Sequence, residues 1–232
     1  MQQNAAMCNI LCVDDPTRDR IILPVMHTSP LWNENTRHLV RIAAAVAGST
    51  IAVVRRVMVE AKDAVDATQV EEVLLQSYLF AGFPRTLNAF TAWRELSGIA
   101  APPNDALAAT SNAPTWDAQG ESTCRVVYGP VYESLRQNIR KLHPAIDLWM
   151  IADGYGKVLS RPGLDLARRE LCIVAACAAA EQLPQLRSHL RGALNSGADV
   201  ADLSATLSAL SDVIPLSATT TARAELARLG TP

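Results

Sequence analysis

An all-α fold is expected for this chain, and three observations predict it. Ala, Leu, Arg and Glu, all good helix formers, recur at intervals of about 3.6 residues along most of the sequence. Strict alternation of β-branched residues is scarce, as are the dipeptides that close hairpins. Hydrophobic residues make up 49% of the 232, enough to bury a sizeable core without disulfides or metal.

The pattern predicts helices over 36–47, 50–64, 67–81 and 84–97, then over 126–141, 144–155, 166–180, 184–196, 199–211 and 218–229. Several boundaries have a mechanism. Asp66 and Asp199 stand where a side-chain oxygen accepts from the first free amides of the next helix. Pro84 and Pro184 fit a first turn, where the missing N–H costs nothing, and Gly197 fits the left-handed residue that follows a helix.

Four segments follow from this reading. Residues 1–33 form an N-terminal extension, 34–97 a first helical half, 98–123 a connector and 124–232 a second half. The connector is assigned because "SGIAAPPNDALAATSNAPTWDAQGEST" is rich in Pro, Ser, Asn and Gly and has no steady period. The halves resemble each other: residues 36–74 and 167–207 each run from a basic start through an Ala-rich helix, a second helix, a turn with Asp and a third helix. An offset near 132–133 residues points to a duplicated, pseudo-twofold tandem rather than a solenoid.

Charge excludes some functions. With 21 basic and 23 acidic residues the formal net charge is −2, so no whole-chain field gathers nucleic acid or an anionic membrane, and neither is expected as a partner. Five scattered cysteines do not form a secreted disulfide framework. The first 30 residues hold no basic region followed by an apolar one, and no span of about 18 apolar residues occurs. A reducing cytoplasm is the expected location.

Three stretches carry a resemblance to a known family: "YGKVLSRPGLDLARREL" (155–171), "QLPQLRSHLRGALNSG" (182–197) and "EEVLLQSYLFAGFPRTLNAFTAWREL" (71–96). They resemble the carboxymuconolactone decarboxylase superfamily, which also contains alkylhydroperoxidase D-like proteins. The resemblance implies two tandem helical domains of that type, a central antiparallel hairpin and assembly as a homo-oligomer. In the peroxidatic branch a glutamate is followed 12 residues later by Cys-x-x-Cys and then, four residues past the second cysteine, by histidine. Here those positions hold Glu170, Gln182, Gln185 and His189. The acid/base frame is kept and the thiols are absent, which disfavours peroxide chemistry, because an amide cannot replace a low-pKa thiolate. In the first half His38, Thr50, Val53 and Val57 take these places, and His38 reads as a surface residue.

The resulting expectation is a non-peroxidatic, lyase-like enzyme acting on a small carboxylate or lactone. His189 moves the proton, and Glu170 orients it or shares the proton. Arg187, Arg191, Gln182, Gln185 and Tyr78 are the expected substrate-binding residues, the two arginines holding carboxylate. Tyr78 belongs to an aromatic group with Phe80 and Phe83 beside Gly82. A straight hairpin puts Glu170 about 15 Å and His189 about 8 Å from the turn, so direct contact is not expected without a bend. Neither metal nor cofactor is expected; Cys8 and Cys12 lack a second Cys/His pair, and Cys172 and Cys177 face apart and read as inert core residues. A catalytically silent binding or assembly protein of the same fold is the alternative, and a thiol peroxidase the third reading.

Overall fold

The computed structural model describes residues 31–229, and none of these lies in a strand. The helices are α1 (Glu34–Gly48), α2 (Ile51–Ala61), α3 (Ala67–Ser97), α4 (Ala113–Tyr128), α5 (Tyr132–Leu142) and α6 (Pro144–Trp149), which runs directly into a π-helical segment, Met150–Leu159. Then follow α7 (Leu166–Ala179), α8 (Leu183–Asn195), α9 (Val200–Ser208) and α10 (Leu216–Arg228). The expected caps are present. Asp66 accepts from the Thr68 amide at 2.7 Å, and Asp199 and Asp202 form a reciprocal capping box at the start of α9.

Expected helices 67–81 and 84–97 are the two arms of α3. Gly82 between them takes φ 75° and ψ 163°, a conformation open to glycine but costly with a Cβ. Trp93 Nε1 donates to Glu71 Oε1 at 3.4 Å, and Arg94 pairs with the same carboxylate at 2.5 Å. In a straight helix residues 71 and 93 would be about 33 Å apart. The arms therefore fold back on each other as a hairpin.

α1 and α7 run side by side in the same direction. At their starts Arg168 Nε donates to Thr36 Oγ1 at 3.1 Å, an offset of 132 residues, and at their ends Gly48 lies against Ala179. The two helices thus pack along their whole length. Around this pair, Leu39 and Ile42 of α1, Leu74 of α3, Leu171 of α7, Leu186 and Leu190 of α8, and Leu203 of α9 are fully buried in one shared core.

Two expectations need correction here. Residues 113–123 were expected in the connector but form most of α4. Their weak helix propensity is overridden by packing: Gly120 of α4 lies against the backbone of Ile151, and Gly156 against that of Trp116, so α4 and the π-helical segment approach closely and antiparallel. His38, expected on the surface, is 7% exposed, and its Nδ1 has no hydrogen-bond partner. Burial lowers its pKa, which keeps the ring neutral. Cys8 and Cys12 lie outside the described residues.

Two buried ion-pair groups tie the periphery to the core. Fully buried Arg169 of α7 donates to Glu72 Oε2 of α3 at 2.7 Å and to Gln76 Oε1 at 3.2 Å, while Arg161 reaches the same Glu72 at 2.9 Å and Asp105 at 2.8 Å. Asp147 of α6, also fully buried, accepts from Arg136 and, at 2.7 Å, from Arg140 of α5. This second group sets the α5–α6 corner, which forms one wall of the cavity described next.

Candidate active site

His189 lies on α8 and Glu170 on α7, antiparallel neighbours joined by a turn through Glu181, whose φ is 53°. His189 Nδ1 and Glu170 Oε2 are 2.8 Å apart. The expectation that a straight hairpin keeps them separate is therefore overturned. Glu170 is level with Gly192 rather than with His189, each about 15 Å from the turn. A Cβ at Gly192 would stand 2.7 Å from Glu170 Oε2, so the missing side chain leaves the room through which the carboxylate reaches back one turn to His189. Glu170 is 0% exposed, and its second oxygen, Oε1, has no hydrogen-bond partner.

His189 also lines a cavity of about 580 Å³. Since Nδ1 is taken by Glu170, Nε2 is the ring nitrogen left for the cavity. The ring is held edge-on by Phe80 at 5.9 Å and by Tyr128 at 6.3 Å between centroids. Tyr155 packs edge-to-face on Tyr128 at 6.1 Å. Burial pushes the Tyr128 phenol up to about 12 and that of Tyr155 well above its ordinary range, so both remain hydrogen-bond donors at neutral pH. Leu79, Leu135, Ile139, Ile146 and Leu159 make most of the remaining wall apolar.

The expected binding residues divide. Tyr78 and Gln185 line the cavity with His189. Arg187 does not: Glu225 of α10 accepts from it at 2.6 and 2.9 Å. Arg191 is exposed and outside the cavity. The reason is helical geometry, since residues two positions from His189 sit about 200° around the axis and face away from it. Gln182 is the exposed residue before α8 and donates to Ala180 O at 3.1 Å, also outside the cavity.

Sequence reasoning missed Asp153, Tyr128, Trp149 and Tyr155, all of which line the cavity. Tyr128 ends α4, a helix hidden in the connector composition, and the other three follow from the turn of α6 into a π-helical segment, which a 3.6-residue period misplaces. Burial and, next, the charge of Asp153 raise the pKa of Tyr78. Asp153 and Tyr78 both line the cavity.

Residues 148–227 match the Carboxymuconolactone decarboxylase family. The likeness to that family covers about a third of the chain. The matched stretch includes His189, Glu170, Asp153, Trp149 and Tyr155, whereas Tyr78, Phe80 and Tyr128 come from residues before it. Peroxisomal protein 2 of Schizosaccharomyces pombe is 35% identical over 136 residues, covering 56% of this chain and 61% of that protein. The chain thus spans about three fifths of the length of this curated relative. Among the described residues no helix is long and apolar enough to cross a membrane, and no cluster of His, Cys, Asp or Glu is arranged to hold a metal ion.

Cys124, Cys172 and Cys177 are buried and unpaired, and burial pushes each thiol up to about 12. At pH 8 such a thiol is only about 0.01% thiolate. Iodoacetamide at pH 8 is expected to leave all three unmodified in the folded protein and to label them in denaturant, read by peptide mass spectrometry. Rapid labelling of any one in the native state would overturn the assignment.

Proposed function

We propose that the protein is a non-peroxidatic enzyme that moves a proton on a small, largely apolar substrate bearing a lactone or similar carbonyl group. The observation that carries this reading is the 2.8 Å contact of Glu170 with the Nδ1 of His189, a residue that lines the cavity, which leaves Nε2 as the nitrogen for chemistry. With Glu170 ionised, Nδ1–H donates to it and Nε2 is an unprotonated base. Nε2 then takes a proton from the carbon beside the carbonyl, and the electron pair of that C–H bond moves onto the carbonyl oxygen. Tyr128 or Tyr155, both protonated, donates to that oxygen as its charge grows. The imidazolium returns the proton to carbon, and no oxidant or reductant is consumed. His189 is the catalytic residue in this scheme and Glu170 positions it.

The expected arginine clamp on a carboxylate is dropped, because Arg187 is committed to Glu225 and neither arginine lines the cavity. A lactone or other carbonyl compound without a carboxylate suits the wall better. A thiol peroxidase is disfavoured by the buried, high-pKa cysteines, whose unpaired state also suits a reducing cytoplasm. The tandem arrangement belongs to the same reading, supported by the parallel α1–α7 pair, in contact at its start and its end.

The test is solvent exchange. In D₂O, small lactones and cyclic ketones are expected to gain deuterium beside the carbonyl in the presence of the protein, and His189→Gln, which cannot shuttle a proton, is expected to lower that rate by about 10²–10⁴-fold. Mass spectrometry reads the label. The proposal fails if no compound exchanges faster than in buffer, or if exchange survives His189→Gln.

A further inference from the structure

Among the described residues, Asp153 is the only carboxylate or base besides His189 that lines the cavity, and its position is unusual. Its carboxylate makes no hydrogen bond or ion pair with any described residue, although it is half-buried in a largely apolar wall. A carboxylate in such a place costs free energy unless something pairs with it. Several cations on the elements that build the cavity are committed elsewhere. Arg136 and Arg140 serve Asp147, Arg187 serves Glu225, and Lys157 lies over the Trp116 ring at 5.1 Å. Among the described residues no lysine or arginine lines the cavity. Glu170 behind His189 adds a second carboxylate to the same region, so the field inside favours a positive ligand.

The walls point the same way. Tyr78, Phe80, Tyr128, Trp149 and Tyr155 all face this cavity, in a chain with only 4 Trp, 4 Tyr and 3 Phe. Aromatic faces attract organic cations through the ring quadrupole, most strongly where water is excluded. An aromatic-walled cavity with one unpaired carboxylate combines the two features that recognise an ammonium group on an apolar body.

We propose that this cavity selects a small organic ammonium compound, held at its charged end by Asp153 and along its body by the aromatic walls, and that it rejects carboxylates of the same size. The inference rests on the cavity being the substrate site and narrows the substrate class to one with an amine. Its volume, about 580 Å³, suits a molecule of one or two rings.

The test uses three matched probes, 2-phenylethylammonium, 2-phenylethanol and 3-phenylpropionate, titrated into the whole protein by calorimetry. The ammonium is expected to bind about 10-fold or more tightly than the carboxylate, with the alcohol between, as a partly desolvated charge pair allows. Asp153→Asn, which keeps the shape, should remove the advantage of the ammonium over the alcohol and improve binding of the carboxylate. Trp149→Ala changes a residue 59% exposed at the rim, so it should fold normally and weaken the ammonium more than the alcohol. Binding of the carboxylate as tightly as the ammonium, persistence of the preference in Asp153→Asn, or no binding of any probe would each overturn the proposal. Ligand preference without deuterium exchange would leave this inference standing and remove the proton-transfer reading. Exchange without the preference would do the reverse.

Discussion

Replacing Glu72 with alanine is expected to destabilise the protein by about 3–5 kcal/mol, the usual cost of leaving buried charges without their partner. Glu72 is 4% exposed and pairs with Arg169, which is 0% exposed, and with Arg161. Removing the carboxylate leaves two guanidinium groups facing each other between α3 and α7, with only Gln76, backbone carbonyls and Asp105 to satisfy them. Urea unfolding followed by circular dichroism measures the loss. The double variant Glu72→Leu with Arg169→Met should lose less than Glu72→Ala alone, because it removes the stranded charge together with its partner. A cost under about 1 kcal/mol for Glu72→Ala would show that the network is not what joins the two halves.

Glu170→Gln is expected to lower the deuterium-exchange rate by about 10²–10⁴-fold while leaving the fold in place. Glutamine keeps the shape but offers His189 Nδ1 no negative charge, so the imidazolium formed during proton transfer loses its stabilisation. Gly192→Val should produce the same loss from the other helix, since any Cβ there meets Glu170 Oε2 at 2.7 Å and Val127 Cγ1 at the same distance. Nitrogen-15 spectra of the imidazole supply a readout independent of substrate. The native protein should show His189 with its proton on Nδ1, and both variants should lose that tautomer preference. Full activity in Glu170→Gln would mean that His189 works without the contact.

The helical class and most helix positions were legible because they depend on local chemistry. Asp66, Asp199 and Pro184 each mark a helix start through their own side chain or missing donor, and those starts stand where expected. α4 was not legible. Its Pro, Ser, Thr and Gly read as connector, and it is helical because Gly120 and Gly156 let it lie close along the π-helical segment. That gain comes from packing against a partner about 35 residues away, which no local window contains.

The site divides along the same line. Family spacing singled out Glu170 and His189, but the expectation that Arg187 and Arg191 hold substrate overlooked that residues two positions from His189 lie on the opposite face of α8. The sequence therefore determined a helical acid/base frame without thiols. It did not determine whether the frame closes, because that depends on the level at which α7 meets α8 and on the empty space at Gly192. Nor did it disclose Asp153 among aromatic walls, since those walls come from α3, α4, α6 and the π-helical segment, brought together only by the shared core. Only tertiary packing decides what an acid and a base face, because the cavity between them belongs to no single stretch of chain.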